Sequence, residues 1–155
     1  MMFTIPLPLQ SEHETLHERL RLATQAGGEV GEAAKSLAQL MHPHFVKEDL
    51  FALPPLGLLA VLARGEWNPE MAEVLTLTDQ LEAELPQMLA EHQAIVAALN
   101  TLRDAAARAG RSEIVTFAKA LTEHARNEEE VMYPAAVLVG QMVRHKMGLR
   151  VAVTV

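Results

Sequence analysis

The sequence predicts an all-α protein: an up-and-down antiparallel four-helix bundle with extra short helices between helices 2 and 3 and at the C-terminus. Half of the 155 residues are hydrophobic, whereas glycine and proline number eight each, a balance that favours helices over sheets. Apolar residues recur at helical spacing in four long segments. We predict one domain over 1–155, with a bundle core at about 11–134 and a C-terminal helix and tail at 135–155.

The first two helices are predicted on either side of a pair of glycines. Ser11 and Glu14 have the form of a capping box, which predicts that the first helix begins there. The second helix is expected over about 30–53, with its apolar stripe at helical spacing. Pro43 predicts a local kink just before His44.

The connection to the third helix is predicted at 54–68, a segment with proline, glycine and one short helix. Asn68 and Pro69 predict the start of the next helix. Pro86 is expected to divide that helix into a lead-in and the third main helix, at about 87–109.

The fourth helix is predicted to begin at Ser112 and to bend or end at Pro134. A last helix is expected over about 135–146, because Gly148 follows it. The apolar residues at 151–155 are interpreted as a tail.

The pattern that carries most information occurs twice. Each copy has a lone histidine and, further along the chain, a histidine followed four residues later by a glutamate. The distance from the lone histidine to the pair is nearly equal in the two copies. The first copy is His13, His44 and Glu48, and the second is His92, His124 and Glu128. Residues four apart share a helix face, and all six fall on apolar stripes. Burying such groups in a metal-free core would cost several kcal/mol per ionised group, so the pattern predicts a site for two metal ions.

Other polar residues near the pattern are assigned in turn. His17, one turn after His13, is included among the predicted metal ligands, the alternative being a partly exposed residue. His42 is expected to face away from the site. Tyr133 is interpreted as a packing residue, with a hydrogen bond in the site as the alternative. One or two of the flanking acids are expected to accept hydrogen bonds from ligand histidines; these acids are Glu12, Asp49, Glu91, Glu129 and Glu130.

Composition excludes several other functions. A formal charge of −7 and only 4% aromatic residues argue against a nucleic-acid partner. The absence of cysteine excludes disulfides, thiolate metal sites and a catalytic thiol. The apolar N-terminus has no basic residue and is a poor signal peptide, so we expect a cytoplasmic protein. The apolar run at 51–63 is too short for a membrane span; it is interpreted as buried or subunit-facing, which permits a homodimer.

The ligand types indicate the metal. Imidazole and carboxylate without thiolate fit two iron ions, with manganese or zinc as alternatives. The glutamates balance only part of the cationic charge, which predicts a bridging oxide or hydroxide. Two octahedral ions need about 12 ligand positions, so His17 decides whether about one or about two positions stay open. One open position suits reversible binding of a small molecule, whereas openings on both ions suit oxidative or peroxide chemistry.

The repeated histidine and glutamate pattern, together with the Glu-Glu-Glu-Val-Met-Tyr-Pro run at 128–134, resembles the hemerythrin-like, or HHE cation-binding, family. The resemblance covers about 11–134. The resemblance implies a four-helix bundle around an oxo- or hydroxo-bridged di-iron centre. It implies as ligands His13, His44, Glu48, His92, His124 and Glu128. Oxygen-carrying members have a further histidine where this chain has Val96, and an aspartate one residue beyond Glu128.

Three functions follow as hypotheses. The first is a di-iron protein that binds or senses dioxygen or a related species such as nitric oxide or peroxide. The second is a di-iron oxidase or peroxide-consuming enzyme that uses the same ligands. The third is a metal-poor helical interaction module. A metal and small-molecule binding protein is favoured over an enzyme.

Overall fold

The structure, a computed structural model, describes residues 2–148 and contains helices without any strand in that range. The α-helices are α1 (Leu7–Thr24), α2 (Gly28–Lys47), α3 (Leu59–Ala63), α4 (Val74–Arg108), α5 (Ser112–Asn127) and α6 (Tyr133–Lys146). The predicted all-α class and four-helix bundle are confirmed, as are the short helix before the third bundle helix and the one at the C terminus. The predicted tail at 151–155 lies outside the described residues.

Helices α1, α2, α4 and α5 form the bundle, and each contacts the next around a closed ring. Their apolar stripes meet in one core, which includes Leu20, Leu37, Leu99 and Phe117. A second core lies towards the N-terminal half of α4, around Phe51, Leu81, Met88 and Tyr133. In α4, His92 lies between Met88 of the second core and Ile95 of the first, so the predicted metal ligands lie between two apolar layers.

Two helix boundaries differ from the prediction. Helix α1 begins at Leu7, before the expected capping box at Ser11. Pro8 is tolerated in the first turn, and Ile5 and Leu9 pack on the second core, so burial extends the helix backwards. Helix α4 continues through Pro86 without the predicted division, because buried residues on both sides of the proline hold it in place.

The last helix packs along the N-terminal half of α4. Gly140 of α6 lies against Thr78 of α4, so closely that a Cβ atom at Gly140 would collide with the threonine side chain. Arg144 pairs with Asp79 farther along the same contact. Within residues 2–148, none of the helices combines the length and apolar character that a membrane crossing requires.

Two π-helical turns interrupt the helical path, at Glu48–Ala52 after α2 and at Glu128–Met132 after α5. Each is closed by a backbone hydrogen bond to the glutamate carbonyl, from Leu53 N–H in the first turn and from Tyr133 N–H in the second. A proline follows each of these donors, and proline clashes with the carbonyl four residues before it in a regular α-helix. The wider turn relieves this clash, and it puts both predicted ligand glutamates in the same irregular geometry.

Candidate metal centre

Six side chains converge at the level where the two apolar cores meet. The histidines come from the four bundle helices, one from each, and the glutamates from the two π-helical turns. All six are at least 95% buried: His13, His44, Glu48, His92, His124 and Glu128. The sequence pattern thus predicted a set of residues that the fold brings together.

The first donor group consists of His44, Glu48, His92 and Glu128, each with one ligand atom within 4.8 Å of the others. His44 Nε2 lies 3.0 Å from Glu48 Oε1. His92 Nε2 lies 3.5 Å from Glu128 Oε1 and 3.9 Å from Glu48 Oε1. These donors surround one volume in which a single cation would contact all four.

The second donor group consists of His13, His124 and Glu128. The Nε2 atoms of the two histidines are 3.0 Å apart, and Glu128 Oε2 lies 3.3 Å from His124 Nε2 and 3.5 Å from His13 Nε2. Glu128 therefore turns one oxygen to each group. Glu48 does likewise, because its Oε2 lies 3.6 Å from His13 Nε2.

The interior of this cluster is short of hydrogen-bond donors. Glu48 Oε2 and Glu128 Oε2 are buried and find no hydrogen-bond partner among residues 2–148. A buried acceptor without a partner costs about 1–3 kcal/mol, and more when it is charged. Cations between the two groups would bind both oxygens and the facing imidazole nitrogens, so the donor set fits a pair of metal ions.

The outer ring nitrogens point to the acids that flank the pattern. The Nδ1 atoms of His44, His92 and His124 lie 3.1, 2.9 and 2.8 Å from carboxylate oxygens of Glu91, Glu129 and Glu12, respectively. His13 Nδ1 lies 3.8 Å from Asp49. An acceptor at Nδ1 fixes the ring so that Nε2 faces inwards, as metal-binding histidines require.

The glutamates also raise the affinity of the histidines for protons. Burial alone lowers the pKa of His92 and His124, but the nearby negative carboxylate of Glu128 outweighs it and raises these pKa values to about 10 and about 9. The pKa of His44 is raised for the same reason, with Glu48 as the partner. Burial raises the pKa of Glu128, but its neighbours, Glu48 and the histidines, lower it well below its usual value. A cation entering the metal-free site must therefore displace protons.

Tyr133 is a polar member of the centre that sequence reasoning assigned to packing. It is 1% exposed, and its hydroxyl donates to Glu48 Oε1 at 2.6 Å. In an α-helix, the residue five positions after Glu128 points about 140° away from it. The π-helical turn completes roughly one revolution in those five positions, so it brings Tyr133 to the face of Glu128. The sequence does contain a signal for this turn, because in both copies of the pattern a proline follows the glutamate at the same spacing, Pro54 after Glu48 and Pro134 after Glu128.

His17 lies apart from both donor groups. His17 is exposed on one side, and the other side of its ring lies against Phe45, with the ring centroids 3.9 Å apart. This partial burial and the nearby His13 lower the pKa of His17. The prediction that His17 is a ligand stays a prediction. His42 is exposed, as expected. A cavity of about 730 Å³ opens beside this region, with walls that include Phe3, His13, His17, Arg21, Asp49 and Pro54.

Comparison with protein families gives one match. The model of the Hemerythrin HHE cation binding domain matches residues 8–136, which include the six converging side chains and Tyr133. Neither curated proteins nor solved structures yield a match. Because the family model covers most of the chain and the buried donor groups occupy its helices, this chain belongs to the hemerythrin family of HHE cation-binding domains.

Proposed function

We propose that this protein is a non-haem di-iron protein that binds or senses dioxygen or a related small species such as nitric oxide or peroxide. The observation that carries the proposal is the pair of donor groups that share Glu128. Each group has space for one cation, and the two glutamate oxygens without partners, Oε2 of Glu48 and Oε2 of Glu128, face the histidines of the second group. The six converging residues supply the ligands of this proposed centre, and the sequence-based prediction adds His17, which lies apart from both donor groups in the structure.

Iron fits the donors because four imidazoles and two carboxylates without a thiolate suit iron, manganese or zinc, and only iron and manganese of these also change oxidation state readily. Two divalent cations exceed the charge of the two buried glutamates, so a bridging oxide or hydroxide completes the proposed centre. When bound, such a pair supplies redox chemistry toward dioxygen and related molecules. The protein's own residues orient the imidazoles, through Glu12, Glu91 and Glu129, and keep bulk water out.

The cavity beside His13 supports a route for a small molecule. It is lined by His13 of the second donor group, whereas the first donor group is backed by Tyr133 and the second apolar core. A small ligand would therefore approach from the side of the second group. We also propose that the protein is cytoplasmic and forms a homodimer, with manganese or zinc as the alternative metals.

Metal analysis and oxygen exposure test this proposal. Protein loaded anaerobically with ferrous iron should hold two iron equivalents per chain, and the exposed-site variant His42→Ala should hold the same amount. Exposure to dioxygen should give a stable, reversible adduct. Less than a tenth of an equivalent would contradict the proposal and favour the metal-poor interaction module.

An enzyme is the second candidate. The second donor group offers three donors next to the cavity, which leaves several positions open for a reacting molecule. Rapid autoxidation of the ferrous protein, together with catalytic consumption of peroxide, would favour the oxidase or peroxide-consuming enzyme. A lasting oxygen adduct without turnover would favour the binding protein.

A further inference from the structure

We propose that Tyr133 is a metal ligand, whose phenol oxygen binds the cation held by the first donor group and makes the two cation positions chemically unequal. This inference rests on the proposed function. It adds a seventh ligand, a phenolate, to the six residues of the repeated pattern. The two groups therefore differ in donor chemistry as well as in donor number.

The position of the phenol oxygen carries the inference. Tyr133 Oη lies 2.6 Å from Glu48 Oε1, 3.2 Å from His92 Nε2 and 3.4 Å from His44 Nε2. Neighbouring ligands of an octahedral ion with bonds of about 2.1 Å are about 3 Å apart. The phenol oxygen is thus spaced from these three donors as a further ligand of the same ion would be.

All three partners belong to the first donor group. The spacing also matches that within the group itself, where His44 Nε2 lies 3.0 Å from Glu48 Oε1 and His92 Nε2 lies 3.5 Å from Glu128 Oε1. A phenol that served packing alone would need one acceptor for its proton. Tyr133 instead lies within hydrogen-bonding distance of three donor atoms of one candidate metal site.

The internal repeat shows why only one cation gains this ligand. Leu53 occupies the same position after Glu48 that Tyr133 occupies after Glu128, and it follows the same kind of π-helical turn. Its side chain is fully buried but apolar. The second donor group therefore has no equivalent oxygen and lies beside the cavity, so we expect small molecules to bind the cation of the second group.

Coordination exchanges one bond for another. The phenol O–H bond breaks, an oxygen–iron bond forms, and the proton passes to solvent. No electron is transferred in this step when ferric iron is present. The oxidant that produces ferric iron from the ferrous form is the dioxygen supplied in the experiment.

Spectroscopy of iron-loaded protein tests this inference. Phenolate bound to ferric iron gives a charge-transfer band in the visible range, and Tyr133 is the only tyrosine in the sequence. Protein loaded with ferrous iron and then oxidised in air should show this band, and excitation into it should enhance tyrosine ring modes in the Raman spectrum. The Tyr133→Phe variant should lose the band while retaining both irons, because the ring that fills the core is kept.

The outcomes separate the two proposals. Two bound irons without the visible band in the wild-type protein would overturn phenolate ligation and leave the di-iron proposal intact. Failure to bind iron would overturn both. Because the sequence holds one tyrosine, the wild-type spectrum decides the question even if Tyr133→Phe fails to fold. Persistence of the band in a folded Tyr133→Phe protein would also overturn the inference.

Discussion

The two halves of the bundle place matching residues around one centre, yet they differ in what surrounds each donor group. His13, His44 and Glu48 of the first half correspond to His92, His124 and Glu128 of the second. Each half ends its His–Glu helix in a π-helical turn. The acids that hold the histidines are matched as well, since Glu12 binds His124 and Glu91 binds His44.

The two halves differ at two positions close to the repeated residues, one after the glutamate and one after the lone histidine. Tyr133 of the second half corresponds to Leu53 of the first, and His17 of the first half corresponds to Val96 of the second. Tyr133 reaches the first donor group, whereas His17 lines the cavity beside the second. The repeat therefore builds the frame of the two donor groups, and the residues that break the repeat give each group different surroundings.

The largest effect is expected from Glu128, the glutamate that belongs to both donor groups. Glu128→Ala should lose both cations and destabilise the metal-free fold by about 3–5 kcal/mol, because it leaves buried imidazolium groups without their counter-charge. Glu48→Ala should chiefly deplete the first group. Metal content and thermal melting measure both. Full metal content with unchanged melting in Glu128→Ala would disprove the shared role.

The second prediction concerns pH and the two histidines with the highest pKa values. Folded metal-free protein holds protons on His92 and His124 more tightly than the unfolded chain, since their pKa values are raised from 6.5 to about 10 and about 9. This stabilisation is complete below pH 6.5 and is lost as the pH rises through 9 and then 10. Denaturant unfolding of chelator-treated protein should therefore show a free energy of unfolding that falls between pH 6.5 and about 10.

Metal binding should have the opposite pH dependence, because each cation replaces protons. Affinity for Zn²⁺ should increase from neutral pH towards pH 9 for the second group, which contains His124, and towards pH 10 for the first, which contains His92. His92→Gln should remove the upper part of the unfolding trend. An affinity that does not change with pH would show that the imidazoles are not the groups that cations displace.

The third prediction compares the acids that orient the histidines in the two halves. Glu12→Gln and Glu91→Gln should each weaken metal binding by about 10–100-fold, because each removes the carboxylate that fixes one imidazole. Glu91 also pairs with Lys47 at 3.0 Å. Competition with a chelator measures the affinities, and Glu123→Gln, an exposed change next to His124, is the matched control. If Glu123→Gln weakened metal binding as much as the other two variants, the role of Glu12 and Glu91 in orienting the histidines would be disproved.

The smallest effect is expected for His17. His17→Ala should retain both cations and lose less than about 1 kcal/mol of stability through its contact with Phe45. His42→Ala, a nearby exposed histidine, is the control. Loss of one cation in His17→Ala alone would show that His17 moves into the second donor group when metal binds, as the sequence pattern predicted.

The sequence predicted the fold class and the six converging side chains because both depend on simple periodicity. A stripe repeated every three to four residues indicates a buried helix face, and His–Glu pairs on such stripes meet in a bundle. It also indicated that one or two of the flanking acids would accept hydrogen bonds from the histidines. The structure places three of them within hydrogen-bonding distance: Glu12, Glu91 and Glu129.

The remainder depends on departures from regular periodicity. Val131 lies three residues after Glu128, where helical spacing predicts burial, but it is 61% exposed; Tyr133 was interpreted as a packing residue, but its hydroxyl reaches the donors. Both errors arise from the π-helical turn, which changes the phase of every residue after Glu128. Pro86 was expected to divide the helix, but tertiary packing keeps α4 continuous through it. Here the helix is more regular than the sequence predicted.

The two π-helical turns have a consequence for how such domains diverge. Each turn has the effect of one additional residue inserted into an otherwise ordinary helix. In a relative that lacked this extra residue, the residue four positions after the glutamate would point to the donor groups. In this chain the residue five positions after Glu128, Tyr133, points there. The number of residues in the turn, as well as their type, therefore decides which side chain faces the donor groups.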